Sequence, residues 1–399
     1  MSAGVIPRRA SGVLLPVRSL GGIEHAERWL DFLSAAGQSY WQILPLTIPG
    51  EGGSPYKSVS AFALDPALAH GFAQSRDLEL PELRDYFDFV GNDRESVEAQ
   101  YAAYSRWLEV RAYAHSRGIE IIGDVPIYVA PDSSDHFAHP ELFRTDAVAG
   151  VPPDAFSSDG QLWGNPLYDW TEHKRTGFAW WLSRLKWWLT LCDVVRIDHF
   201  RGLDAYWAVP TDAKSAKLGR WEPAPGKALI DAIRSALPGA RIIAEDLGHV
   251  TKGVRKLVRY SRFPNMKVLQ FAFDSATSDH LPDLCGLNSV VYTGTHDNDT
   301  VRGWANSANP TTLGRAMRFL EVRDPAALPD AFVQCALDCA SKLCVIPIQD
   351  WLGLGSEARV NTPGTVGAGN WTWTLDLGLL TPALALAMRS ATRRADRLS

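Results

Sequence analysis

CDVVRID, residues 192–198, is the run on which the fold turns. Val194, Val195 and Ile197 make it β-branched and apolar, and it closes on charge at Arg196 and Asp198. A strand with one wet face alternates apolar and polar residues, whereas a run that is apolar nearly throughout is buried on both faces, as in a parallel sheet covered by helices. Seven more runs of this kind lie along the chain: VLLP (13–16), YWQILPL (40–46), IEIIGDV (119–125), RIIAE (241–245), MKVLQF (266–271), SVVYT (289–293) and LCVIPI (343–348). Helical stretches follow them. The first runs from about Glu24 to Ala36, with Ala26, Trp29, Leu30 and Leu33 on one face and Gly37 as its stop. Eight such units predict an α/β chain folded as a (β/α)8 TIM barrel, one catalytic domain over residues 1–399. An open doubly wound sheet is the competing arrangement. Residues 47–115 and 127–178, rich in Pro, Gly, Ser and Asp, read as insertions on the C-terminal rim, where such a barrel carries its active site.

Bulk properties narrow the function. A net charge of −5 with dispersed Lys and Arg gives no basic stripe for nucleic acid. The short basic stretches Lys252–Arg262 and Arg393–Arg394 read as solvated helix surface. No run is apolar and long enough for a membrane span or a signal peptide, so no membrane partner is expected. Five cysteines without zinc-site spacing read as free thiols in a reducing compartment, so cytoplasm is the expected location. The chain holds 15 Trp. Trp29, Trp180, Trp181, Trp187 and Trp188, set among helix formers, read as core, and others can stack on the apolar face of a pyranose ring.

Polar residues at the C-terminal ends of barrel strands face the pocket. In VVRIDHFRG (194–202), alternation sends Arg196 and Asp198 to the same side. A guanidinium beside a carboxylate holds it ionised, as a nucleophile requires, although a purely structural pair has the same pattern. In IIAEDLG (242–248), Glu245 takes the pocket side and Asp246 the opposite one. An acid that donates a proton at neutral pH needs a raised pKa, from an apolar wall or a neighbouring carboxylate. A plain salt-bridge partner is the alternative. YTGTHDND (292–299) ends the seventh run in Thr295, His296, Asp297, Asn298 and Asp299, a polar cluster that suits a loop or a site. A metal site is expected neither here nor at His136 and His139, which read as surface residues. Gly353-Leu-Gly355 is a loop rather than a dinucleotide fingerprint, and no P-loop, GxSxG or HExxH occurs. Carboxylates at the ends of the fourth and fifth runs suit retaining glycoside chemistry. Adjacent strands lie about 4.8 Å apart, and that chemistry needs its two carboxyl groups about 5–5.5 Å apart. A third carboxylate can stabilise the developing positive charge.

VRIDHFRG, AEDLG and TGTHDND closely resemble the signature segments of the 4-α-glucanotransferases, the amylomaltases or disproportionating enzymes of the α-amylase clan. The resemblance continues through WQILPL…GGSPYKSVSAFALDP (41–66), GDVPIYVAPDS (123–133), GVPPDAFSSDGQLWGNPLYDW (150–170), MKVLQFAFD (266–274) and QDWLGLGSEARVNTPGTVGAGNWTW (349–373). It implies a (β/α)8 barrel with rim insertions and no C-terminal β-domain, acting on maltooligosaccharides, α-1,4-glucans and glucose without cofactor or metal. It implies Asp198 as nucleophile, Glu245 as general acid/base and Asp297 as transition-state stabiliser, with His296 on the substrate hydroxyls. Arg196 would pair with Asp198, and Asp124 would fill the acidic position on the third strand. Tyr56 would be the platform under the sugar, and Trp163 and Asp274 further glucan contacts. The chain departs from the family pattern at a rim reduced to SLGGIEH (19–25), a shortened first insertion, Ala155 in place of an aromatic, and Lys57 in SPYK. These departures bear on acceptor binding, chain-length preference and the balance of transfer against hydrolysis. An α-glucan hydrolase and a non-catalytic glucan-binding relative are the competing functions.

Overall fold

The structure is a computed structural model describing residues 5–69, 79–153, 159–367 and 369–398. Its strands, in chain order, are β1 (Ala10–Leu14), β2 (Tyr40–Gln42), β3 (Glu120–Val125), β4 (Phe143–Val151), β5 (Gln161–Tyr168), β6 (Val194–Ile197), β7 (Ala205–Pro210), β8 (Arg220–Pro223), β9 (Ile242–Ala244), β10 (Asn265–Val268), β11 (Ser289–Tyr292) and β12 (Leu343–Pro347). Eight of them close into a barrel in the order β1-β12-β11-β10-β9-β6-β3-β2. The pairing is parallel, with Val13 opposite Ile346 and Val195 opposite Ile242. Closure excludes the open doubly wound sheet. Each of the eight runs contributes one barrel strand, and every residue of β1, β6, β9, β11 and β12 is buried, which is why those runs show no alternation.

The first strand begins earlier than VLLP suggests. Pro16 offers no N–H to a ladder, whereas Ala10, Ser11 and Gly12 lie in the strand. Gly12 is there for close approach: a Cβ on it would meet the Tyr40 Cβ and carbonyl oxygen at 2.6 Å. The first helix also starts differently, as a 3-10 turn at Ile23–His25 leading into Ala26–Ala35. Gly37 then takes φ 69°, the left-handed stop expected of it.

A second sheet was not legible in the sequence. β5, β4, β7 and β8 pair antiparallel in that order, with register shifts between β4 and β5. The first two strands arise inside the 127–178 stretch, and Arg144, Thr145 and Asp146 interrupt the hydrophobic pattern of β4.

The chain divides into two compact units, one of residues 1–44, 109–122 and 264–399, the other of 45–108 and 123–263. The first has a core of Leu269, Val291, Val301, Phe332, Leu337, Cys344 and Ile346. In the second, the helix Ala179–Leu191 buries Trp180, Trp181, Trp187 and Trp188, as their setting suggested. Trp187 and Trp188 donate their indole N–H groups to the Phe62 and Ala61 carbonyls at 2.9 and 3.2 Å, which fixes the segment after Tyr56. All five cysteines are free. Among the described residues, no helix is long and apolar enough to cross a membrane.

His173 is enclosed in this second core, edge-on to Tyr168 at 5.0 Å. Burial pushes its pKa down to about 4. The folded ring therefore stays neutral while the unfolded chain takes up a proton near pH 6.5, so this group costs stability as pH falls through that window. His173→Phe should gain about 1–2 kcal/mol on the wild type between about pH 7 and pH 5 in urea unfolding. A difference between the two that does not change with pH contradicts a neutral buried ring.

Candidate active site

In the second unit, one buried cation gathers the polar residues at the ends of β3, β6 and β9. Arg196, on β6, donates through Nη1 to both oxygens of the fully buried Asp124 on β3, at 2.7 and 2.6 Å. Its Nη2 lies 2.9 Å from Asp198 Oδ1 and 4.0 Å from Glu245 Oε2. Tyr56 donates its hydroxyl to Asp124 Oδ2 at 2.7 Å. Burial works against the guanidinium charge, but Asp124, Asp198, Tyr56 and Glu245 outweigh it and hold Arg196 firmly protonated. The Arg196–Asp198 pair that alternation suggested is present. The tighter, two-oxygen partner is Asp124.

Glu245 follows β9 and is buried. Its Oε2 accepts the His199 backbone N–H and its Oε1 the Leu247 N–H, each at 2.6 Å. Removal from water raises its pKa, with Asp246 adding to the effect, against Arg196 and the two N–H donors. This is the environment a proton donor needs, and burial is its main cause. The backbone ties the strand ends together: Asp198 N donates to Val125 O at 2.9 Å, Glu245 N to Ile197 O at 3.1 Å, and Phe200 N to Glu245 O at 2.9 Å.

His199, directly after Asp198, has φ 46°, a left-handed conformation uncommon outside glycine and asparagine. That turn directs its N–H onto Glu245. Its ring meets the Trp163 indole edge-on at 4.9 Å, and burial with the nearby Arg201 charge pushes its pKa down to about 3, so the ring is neutral.

In the first unit, the segment after β11 forms a separate polar cluster. Asp297 is half-exposed; its Oδ1 accepts from Asn361 Nδ2 at 2.6 Å and lies 3.4 Å from His296 Nε2. Arg359 donates to the Asp297 carbonyl at 2.8 Å. His296 is buried, with the Trp371 ring 6.0 Å away. Asp274 is not drawn into this cluster: it is exposed, and Arg315 donates to its backbone carbonyl at 2.7 Å. Burial nonetheless raises its carboxyl pKa, with Arg315 opposing.

Tyr56, Asp124, Trp163, Arg196, Asp198 and Glu245 thus form one connected group, and His296 and Asp297 another. Lys57 pairs with Glu51 at 3.0 Å at the surface, and Ala155 lies outside the described residues. His139 is held by Asp85 at 2.8 Å, and among the described residues no group of three His, Cys, Asp or Glu could hold a metal ion. Gly353 and Gly355 lie in a loop. Sequence reasoning missed His199 as the backbone donor to Glu245, and Asn361 and Arg359 as the holders of Asp297. Their only signal was a place inside DHFRG and EARVNTPG.

The family model described as 4-alpha-glucanotransferase matches residues 15–86 and 92–380. A 4-alpha-glucanotransferase of Thermus thermophilus is 36% identical over 497 positions, covering 98% of this chain and 99% of that one. Since the chain has 399 residues, at least 98 of those positions have no residue here. A Synechocystis 4-alpha-glucanotransferase is 37% identical, over 92% of this chain and 94% of its own. Among solved structures, the amylomaltase of Streptococcus agalactiae in complex with acarbose matches with a TM-score of 0.90 at 30% identity, over 98% of this chain and all of that one. The fold is also that of an α-amylase from Geobacillus thermoleovorans, at a TM-score of 0.58 and 10% identity.

Removing Arg196 takes from the fully buried Asp124 the cation bonded to both its oxygens and leaves it, among the described residues, the Tyr56 hydroxyl. Arg196→Met should therefore destabilise the chain by about 3–5 kcal/mol in urea unfolding, and the double variant Arg196→Met/Asp124→Leu should regain much of that loss. Equal losses in the single and double variants would contradict a mutually compensated pair.

Proposed function

The chain belongs to the 4-alpha-glucanotransferase family, and on that premise we propose that it transfers a segment of a 1,4-α-glucan to the 4-hydroxyl of glucose or a maltooligosaccharide, by a retaining double displacement. The observation that carries this reading is the shared guanidinium nitrogen. It holds Asp198 Oδ1 at 2.9 Å and Glu245 Oε2 at 4.0 Å, which brings the two carboxylates to one cation and admits the about 5–5.5 Å separation of retaining enzymes.

In the first step Glu245, whose burial favours the protonated form, gives its proton to the glucosidic oxygen while an Asp198 oxygen bonds to the anomeric carbon. The reducing-end fragment leaves with that proton. Glu245, now a carboxylate stabilised by Arg196 and by the His199 and Leu247 N–H groups, then takes the proton of the incoming 4-hydroxyl. The acceptor oxygen displaces Asp198 from the anomeric carbon, and two inversions restore the α configuration. Arg196 fixes Asp198 between attacks. Asp297 contributes as a third carboxylate, favouring the oxocarbenium-like charge of the transition state, with His296 hydrogen-bonding sugar hydroxyls. Tyr56, held by Asp124, offers its ring to the sugar at the cleavage point, and Trp163 and Asp274 contact the glucan further along. On this reading residues 1–399 form one catalytic domain with rim insertions at 47–115 and 127–178, and the five free thiols suit a cytoplasmic enzyme.

Product analysis on maltotriose tests the proposal. The wild type should make glucose together with maltooligosaccharides longer than maltotriose. Asp198→Asn should lose turnover by about 10⁴-fold or more with its thermal midpoint little changed. Glucose and maltose alone would indicate hydrolysis, and retained turnover in the variant would remove Asp198 from its role.

A further inference from the structure

We propose that Asp350 is a positioning residue for the loop carrying His296 and Asp297, a buried carboxylate that closes residues 293–301 at their base. Asp350 lies on the short helix Ile348–Trp351 that follows β12. Its Oδ2 accepts the Thr293 hydroxyl at 2.5 Å, and its Oδ1 accepts the Val301 backbone N–H at 2.8 Å. Thr293 stands four residues before Asp297 and Val301 four residues after it, so one side chain joins the two ends of the segment. Val301 opens the helix Val301–Ser307, and its N–H has no partner within that helix. The Thr300 hydroxyl is already committed to Gly303 N–H at 3.0 Å, which leaves Val301 to Asp350.

Inside this closure, short bonds set the shape of the loop. Asn298 Oδ1 accepts both the N–H and the hydroxyl of Thr295 at 2.9 Å, and Asp299 accepts from Ser356 Oγ at 2.7 Å. The chain that follows Asp350 also supplies Asn361 and Arg359, two of the side chains bonded to Asp297.

Burial makes a carboxylate costly here. Asp350 is 2% exposed and, among the described residues, forms no ion pair. Burial pushes its pKa up to about 6, with Asp299 adding to the effect against the two hydrogen bonds. An unpaired buried carboxylate costs folding energy. What the carboxylate does supply is two acceptors at the spacing that two chain segments require.

This inference rests on the role proposed above for Asp297, and the experiment separates the two. Amide hydrogen exchange over residues 293–301, and kcat and KM on maltotriose, are measured for wild type, Asp350→Ala, Asp350→Asn and Asp297→Asn. Asp350→Ala should speed exchange in that segment and lower kcat by about 10–100-fold with KM changed less than about threefold. Asp350→Asn should restore both, because its amide oxygen still accepts from Val301 N–H and its amide nitrogen can donate to Thr293 Oγ1. If Asp350→Ala does not fold, Thr293→Val, which removes one of the two bonds, replaces it. Exchange unchanged over 293–301, or turnover lost only in proportion to unfolded protein, overturns the proposal. If Asp297→Asn keeps wild-type turnover, the role of Asp297 fails, and the exchange comparison, which needs no turnover, still decides on Asp350.

Discussion

The guanidinium of Arg196 is buried, and a charge without water is tolerable only if its surroundings return the lost hydration. Asp124 does most of this, with two hydrogen bonds under 3 Å from a side chain that sees no solvent. That pairing fixes where the other half of the guanidinium points, and Nη2 then gives Asp198 a counter-charge at 2.9 Å and Glu245 a weaker one at 4.0 Å. A lysine in place of Arg196 offers a single ammonium and no fork with which to serve Asp124 and Asp198 at once. The geometry of the carboxylates thus follows from the need to satisfy one buried cation.

Glu245 sits in the same environment with a different balance. Its burial favours the protonated acid, while two N–H donors and the more distant Arg196 favour the anion. On the proposed mechanism this group alternates between acid and base in one catalytic cycle, which needs both states within reach. The left-handed turn at His199 is part of that balance, since it brings one of the N–H groups to the carboxylate. Strain of this kind persists where the surroundings hold it, here the bonds of Asp198, Glu245 and Phe200 to neighbouring strand ends. In the first unit Asp350 uses a related device: a carboxylate bonded to a hydroxyl and an N–H eight residues apart joins the two ends of the loop that carries Asp297.

The barrel was legible because burial on both faces writes a continuous apolar run, although eight such runs also fit an open doubly wound sheet, which closure of the strand order excludes. Arg196 and Asp198 were legible because a strand alternates, and Glu245 because it ends the next run. Asp124 as the main partner of Arg196 was not, since no local pattern says which carboxylate on a neighbouring strand a guanidinium will choose. Backbone donors escape sequence reading altogether: nothing in the letters DHF shows that His199 acts through its N–H. The second sheet escaped because Arg144–Asp146 and the register shifts of β4 break the period that marks a strand. Asp297 was singled out from its polar cluster chiefly through the resemblance, and Asp350 carries no signal beyond following an apolar run.

The central claim is that Asp198, oriented by Arg196, bonds to the sugar during turnover. Incubation with 5-fluoro-α-D-glucosyl fluoride tests it, because the ring fluorine slows both steps while the fluoride leaving group keeps the first one fast enough for the intermediate to accumulate. Mass spectrometry of the intact chain and its peptides should show one 5-fluoroglucosyl group, on the peptide containing Asp198, in wild type and absent from Asp198→Asn. An adduct on another residue, or release of fluoride with no adduct at any time, would contradict the account.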